Sequence, residues 1–513
     1  MAWLLRSQGI PFVSESSAMT INVNPIADII APLPKQLLID GKFVPSLSGK
    51  TFKTFNPATG EVLAEVSEGG AADIDLAVAA ARRAFTGPWS RFTPFQRQQC
   101  LLRFADLVEK HFDTLAHIDV LDMGAPITSM YARRQRALGL PRFYAGMCTV
   151  IAGGTLPNSM PGEVFTYTLK EPVGVVGAIT PWNAPLTSTI WKIGPVLATG
   201  CTMVLKPAED APLTALRLGE LLLEAGVPEG VVNIVPGFGH IAGDALARHM
   251  DVDKVAFTGS DVTGRKIIDA SKGNLKRVTL ELGGKSPDVI FADCDMDAAV
   301  AGAGMGVFAN SGQICCAGTR LLVQRPIYEE FVARVSDYAR SLKVGNGLDP
   351  ATQIGPVVNA KQLDRVSGYM EIGLGEGVTA ATGGKRLTEG ALKDGYFFEP
   401  TVLSGVTNDM RIAREEIFGP VAAAIPFDTL EEAAAIANDT VFGLGGGVWT
   451  TNVSTAHRMA KAIRAGTVWI NTYGGLDPVV PFGGYKTSGY GRESGVEHLD
   501  AYLETKSVVL KLG

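Results

Sequence analysis

Between Leu101 and Leu121 apolar residues recur at Leu101, Phe104, Leu107, Val108, Phe112, Leu115 and Ile118. That three-to-four-residue rhythm predicts at least one long amphipathic helix. Further along, the rhythm changes. VGVVGAIT (173–180), TMVLK (202–206), VNIV (232–235), KVAFTG (254–259) and RVTLEL (277–282) are short apolar runs, largely β-branched, separated by helix-like 213–224 and 262–271. Such alternation predicts an α/β fold, a parallel sheet covered by helices on both faces. Beyond residue 316 it resumes with TRLLVQ (319–324) and an amphipathic 327–342, and continues to about 470. The closing LETKSVVLKL (503–512) alternates weakly, like an edge strand that invites pairing with a second chain.

The chain has 513 residues, enough for roughly three structural units at about 150 residues each. No apolar run approaches the ~20 residues of a membrane-spanning helix. A net charge of −6 provides no basic field for nucleic acid or an anionic membrane surface, so neither is an expected partner. Six cysteines (Cys100, Cys148, Cys201, Cys294, Cys315, Cys316) form no disulfide framework and no paired metal spacing; reduced thiols and a cytoplasmic location are expected, with no metal. Residues 1–35 read as an N-terminal extension whose true start could be Met19, because the ordered pattern begins near Gln36.

Glycine changes the picture. There are 59, where average usage gives about 36, and they gather at the ends of the predicted strands. A parallel sheet with glycine-rich turns suits a dinucleotide, yet no regular G-x-G-x-x-G is present, nor a Walker-type phosphate loop. In FTGSDVTGR (257–265) a strand ends at Gly259 as a helix starts, where free N–H groups hold a phosphate or Ser260 simply caps the helix.

Two adjacent cysteines stand in GQICCAGTR (312–320), after a helix-like 298–310 and a small-residue turn. A catalytic thiol needs an oxyanion site and a proton-handling partner; two buried apolar cysteines are the alternative. None of the six histidines has a motif suited to that partnership, so a carboxylate must serve, and Glu281 lies at a strand end before the Gly283-Gly284 turn.

With LELGGKSP (280–287) and FANSGQICCAG (308–318) the chain resembles the NAD(P)-dependent aldehyde dehydrogenase superfamily, of the hydrolytic type, over nearly all of 36–513. The resemblance implies an NAD-binding Rossmann-type domain over 36–149 and 173–283, a catalytic α/β domain over 284–483, and a small β oligomerisation arm from 150–172 and 499–513. It implies a homodimer or homotetramer.

By that resemblance Cys315 is the nucleophile, Asn183 in ITPWN (179–183) holds the oxyanion and Glu281 activates water. Lys192 and Glu493 match a proton relay in some members, or form an ordinary ion pair. The cofactor is expected against Trp182, Lys206, Glu209, Gly259, Ser260, Glu416 and Phe418. Glu209 accepts from ribose hydroxyls and repels a 2′-phosphate, which favours NAD over NADP. A tunnel for the aldehyde is expected along Ala184, Thr187, Ser188, Trp191, Ala309, Ile314, Cys316 and Leu476. These small side chains imply a medium-to-long aliphatic, terpenoid or aromatic aldehyde, and the lack of a cation among them disfavours dicarboxylic semialdehydes. The rival readings are an acylating branch that passes the acyl group to coenzyme A, a semialdehyde dehydrogenase, and a non-catalytic structural member.

Overall fold

The computed structural model describes residues 26–512. The alternative start at Met19 lies outside the described residues. Two large sheets dominate. In the first, the strands run Gly489–Tyr490, Arg277–Glu281, Lys254–Thr258, Val175–Ile179, Thr202–Lys206, Val232–Ile234, Leu37–Ile39 and Lys42–Val44. The five central strands, Arg277–Glu281 to Val232–Ile234, are parallel, and the outer three join antiparallel. Val175–Ile179 and Thr202–Lys206 are buried at every residue, as expected of continuous apolar runs covered on both faces.

The chain fills this sheet outward in one direction from Val175–Ile179, then returns to lay Lys254–Thr258 on its other side. A crevice opens beyond the carboxyl ends of parallel strands at such a reversal. The second sheet runs Thr379–Thr382, Thr401–Ser404, Val421–Phe427, Arg320–Gln324, Pro287–Ile290, Gly445–Trp449 and Thr467–Ile470, all parallel except the first. A third, antiparallel sheet joins Thr155–Leu156, Val164–Pro172 and Leu503–Lys511, so the predicted closing strand does lie at a sheet edge.

Two sequence expectations change. The apolar stripe over 101–121 is carried by two helices, Pro94–Lys110 and Phe112–Met123, separated at His111, whose backbone leaves the helical region (φ −104, ψ 15). The first helix is amphipathic and opens on a Thr93–Gln96 capping box. The second is buried on nearly all sides, so the chain turns at His111 to enter the core. The order also begins before residue 36: Ile26–Ile30 is a helix, and Ile29, Ile30 and Leu33 are buried in the main core. Lys35 Nζ donates to the carbonyls of Ile30, Ala31 and Leu33, satisfying acceptors that the helix end leaves open.

Candidate active site

The crevice of the first sheet is built from strand ends. Asn183 follows Val175–Ile179, Lys206 ends Thr202–Lys206, Gly259 and Ser260 follow Lys254–Thr258, and Glu281 ends Arg277–Glu281. The second sheet faces it with the starts of its strands: Gly283 and Gly284 precede Pro287–Ile290, Cys315 precedes Arg320–Gln324, and Glu416 and Phe418 precede Val421–Phe427. Residues far apart in sequence therefore meet between two sheets. Trp182, Asn183, Gly259, Ser260, Glu281, Gly283, Cys315, Glu416 and Phe418 all line one cavity of about 820 Å³.

The cysteine loop is tightly shaped. After the helix Met296–Phe308, Asn310, Ser311 and Gly312 take successive left-handed conformations (φ 54, 56 and 72). Only glycine fits the third of these, since a Cβ there would sit 2.0 Å from the Gly419 carbonyl oxygen. Hydrogen bonds hold the turn: Asn310 Nδ2 donates to the Asn183 carbonyl at 3.1 Å, and the Val358 N–H donates to Gln313 Oε1 at 2.9 Å. Asn183 Nδ2 donates to the Gln313 carbonyl at 2.9 Å, which keeps its amide beside the thiol loop. Cys315 is half-buried; Cys316 is buried against Leu444, Trp469 and Phe482, and its carbonyl accepts from Tyr473 at 2.8 Å.

The two thiols are electrostatically one unit. Their shared hydrogen bond, then burial and the negative charge of neighbours including Glu416 and Glu281, hold the Cys315 thiol well above its ordinary range. Cys316 moves down, through the same bond and the Arg136 guanidinium, which outweigh its burial. The thiolate needed for attack on a carbonyl is therefore disfavoured at Cys315 and favoured at Cys316.

Glu281 is buried, and neither carboxylate oxygen has a hydrogen-bond partner. Burial first, then the charge of Glu493, raises its carboxyl well above the usual range, against the weaker pull of Lys192 and Arg492. Lys192 and Glu493 form a buried ion pair close enough to act on it.

On the cofactor side, Glu416 Oε1 accepts from the Gly284 N–H at 3.0 Å, and a Cβ on Gly283 would stand 2.2 Å from its other oxygen. Burial pushes the Glu416 carboxyl up to about 7, opposed by that N–H. Phe418 meets Trp182 edge to face at 5.4 Å between centroids. Ser260 caps the helix Asp261–Ser271 by accepting from the Thr263 N–H, and Thr258 Oγ1 is buried without a partner at the cavity wall. Lys206 and Glu209 are not on this cavity; they pair with each other at 2.9 Å at the neighbouring strand end. Burial raises the Glu209 carboxyl, but the charge and hydrogen bond of Lys206 and nearby backbone N–H groups outweigh it and keep it ionised.

The expected tunnel residues fall into two groups. Ala184 and Thr187 border a small void beside Asn183, and the Ser188 hydroxyl donates to the Ala184 carbonyl at 2.7 Å. Ile314, Cys316 and Leu476 gather near Cys315, and the rings of Trp191 and Phe482 are parallel at 6.3 Å. Ala309 stands half-buried at the turn into the cysteine loop.

None of the eight expected tunnel residues is a cation, but two arginines stand next to them. Arg136 lies 4.2 Å over the Trp191 ring, and Arg133 lines the void with Asn183, Ala184 and Thr187. The cluster in YARRQRALGL (131–140) was visible, but which face of its helix meets the pocket was set by packing on Pro185–Thr199, where Gly194 gives way to the Tyr144 ring.

The model of the aldehyde dehydrogenase family matches residues 43–508. An aldehyde dehydrogenase of Emericella nidulans is 48% identical, over 94% of this chain and 96% of its own. The mitochondrial benzaldehyde dehydrogenase of Antirrhinum majus is 48% identical, over 95% of this chain and 91% of its own. The solved NAD+ complex of the aldehyde dehydrogenase from Bacillus cereus superposes with a TM-score of 0.93 at 48% identity, covering 96% of this chain and 99% of that one. A shared fold at this level of identity over nearly whole chains leaves one conclusion: the chain belongs to the aldehyde dehydrogenase family and is an aldehyde dehydrogenase.

Proposed function

We propose that this enzyme oxidises an aldehyde to the carboxylic acid with NAD and water, through a thiohemiacetal and then a thioester on Cys315. The observation that carries the reading is the single cavity shared by Cys315, Asn183 and Glu281 with Gly259, Glu416 and Phe418. Its wall fits a dinucleotide: Gly259 and Gly283 let the backbone pack directly on the Phe257 ring and the Glu416 carboxylate, the Thr258 hydroxyl is buried without a partner, and a helix N-terminus opens at Ser260. Gly259 and Ser260 would hold the phosphates, Lys206 and Glu209 the adenosine ribose, Glu416 the other ribose, and Trp182 and Phe418 the nicotinamide. When bound, NAD supplies the hydride acceptor.

The protein's own residues do the rest. Cys315 passes its thiol proton to water in the cavity and its sulfur attacks the carbonyl carbon, breaking the C=O π bond; the resulting oxyanion is met by the Asn183 amide and the Cys315 N–H. Glu281 takes a proton from water as that water attacks the thioester, a task that needs a carboxyl tuned upward by burial. Lys192 and Glu493 are positioned to pass that proton on or to set the charge around Glu281. An ionised Glu209 disfavours a 2′-phosphate and supports NAD over NADP. The small side chains of Ala184, Thr187 and Ser188 support a medium-to-long or aromatic aldehyde.

The nine-residue edge strand Leu503–Lys511, with Val509 and Leu510 exposed, supports a homodimer or homotetramer joined through the third sheet. Among the described residues no helix is long and apolar enough to cross a membrane, and a cytoplasmic enzyme is the reading that six free thiols favour. The test is NADH formation from an aldehyde in the absence of coenzyme A, with one carboxylic acid released per NADH. A strict requirement for coenzyme A would replace hydrolysis with acyl transfer.

A further inference from the structure

Near the two thiols, over the Trp191 ring, stands a cation that pairs with no described residue. Arg136 is carried by the helix Arg134–Met147, which packs on Pro185–Thr199 through Tyr144 and against Pro478 through Gly139. Its guanidinium rests on the Trp191 ring at 4.2 Å, and that indole is itself fixed by donating to Ser494 Oγ at 2.7 Å. Among the described residues the Arg136 guanidinium makes no hydrogen bond and no ion pair, although it is only part-exposed. The charged or ionisable groups acting on it are Arg133, Cys315, Cys316 and Glu493, and Glu493 is already committed to Lys192. Arg133 lies near Asp119, whose carboxyl burial pushes up to about 7 and which accepts from Leu186 N–H and Thr214 Oγ1.

A part-buried arginine normally sits against a carboxylate or phosphate, because desolvation of its charge is otherwise left unopposed. Stacking on an indole uses the face of the guanidinium and leaves its N–H edge free for a bidentate acceptor. We propose that the physiological aldehyde bears a carboxylate at the end remote from the reacting carbonyl, and that Arg136 receives it while Trp191 lines the path between. The substrate class is then an ω-carboxyaldehyde, a semialdehyde of a dicarboxylic acid, and Arg136 is a specificity-determining residue. This rests on the thiol chemistry proposed above and deepens it; the small side chains of Ala184, Thr187 and Ser188 would flank the carbon body.

The test compares kcat/KM for an ω-carboxyaldehyde and for the unsubstituted aldehyde of equal chain length, by NADH formation, in wild-type enzyme, Arg136→Met and Arg136→Lys. Charge-assisted pairing predicts a wild-type preference of about 10- to 100-fold for the carboxylate. Arg136→Met should erase that ratio mainly through KM, and Arg136→Lys should restore part of it. Wild type favouring the uncharged aldehyde, or Arg136→Met lowering both substrates equally, overturns the proposal and leaves Arg136 a packing partner of Trp191. Oxidation of the uncharged aldehyde by wild type reports on Cys315 alone, so failure of the Arg136 assignment is distinguishable from failure of the chemistry. Should Arg136→Met not fold, competitive inhibition of wild type by a saturated dicarboxylate, weakened by salt and absent for the matching alkyl monoamide, supports the site; absence of inhibition by the dicarboxylate overturns it.

Discussion

Replacing Glu281 by glutamine isolates the hydrolytic half of the reaction. The side chain keeps its shape, and because both oxygens of the native carboxyl are buried without partners, no hydrogen bond of the fold is lost. Stability should therefore change by no more than about 1 kcal/mol, since a neutral amide replaces a group whose charged form burial already penalises. Activity is another matter. Positioned general bases contribute about 10²- to 10⁴-fold, which corresponds to roughly 3–5 kcal/mol on the barrier for thioester hydrolysis.

Thiohemiacetal formation and its oxidation do not need Glu281, so rapid mixing of the Glu281→Gln enzyme with NAD and aldehyde should give a burst of about one NADH per active site, then near-arrest. The pH dependence follows from the direction of the shift. A carboxyl held above its usual range stays protonated over more of the pH scale, so the base form and the hydrolysis rate grow as pH rises. That rise should vanish in Glu281→Gln. Steady-state turnover within about threefold of wild type, or a lost burst, would refute the assignment of Glu281 to water activation.

Cys315→Ala should abolish NADH formation, whereas Cys316→Ala should shift mainly KM or substrate preference; equal loss in both would remove the distinction between the sulfurs. Gly312→Ala should cost at least about 1–2 kcal/mol for its left-handed backbone, plus the clash with the Gly419 carbonyl, and a thermal scan with kcat measurement checks both the lower Tm and the displaced thiol loop. Glu209→Ser should improve NADP use relative to NAD by about tenfold, because it removes a carboxylate and frees the charge of buried Lys206; unchanged cofactor kinetics would detach this pair from the ribose.

Much of the framework was legible in the chain. Runs such as TMVLK (202–206) and the helix over 213–224 fall where periodicity put them, because a strand buried on both faces must be continuously apolar and an amphipathic helix must repeat its stripe. The local motifs around Glu281 and Cys315 were legible for the same reason: glycines and small residues are dictated by tight backbone, whichever side chain they serve. The break at His111 and the helix Ile26–Ile30 were not, since both depend on which way a stripe must turn to meet the rest of the core.

By itself, then, the sequence determined the class of fold, the strand ends and the chemically capable residues, all of which follow from interactions within a few positions. Only the tertiary structure decided that the carboxyl ends of one sheet face the starts of another, leaving Glu281 buried without a hydrogen bond and Cys315 on the same cavity as Glu416. It also decided that Arg136 stands over Trp191, 55 positions away in the chain (191 − 136). Burial, field and the partner a charge lacks are properties of what surrounds a residue, and those surroundings come from elements that meet only when the chain is folded.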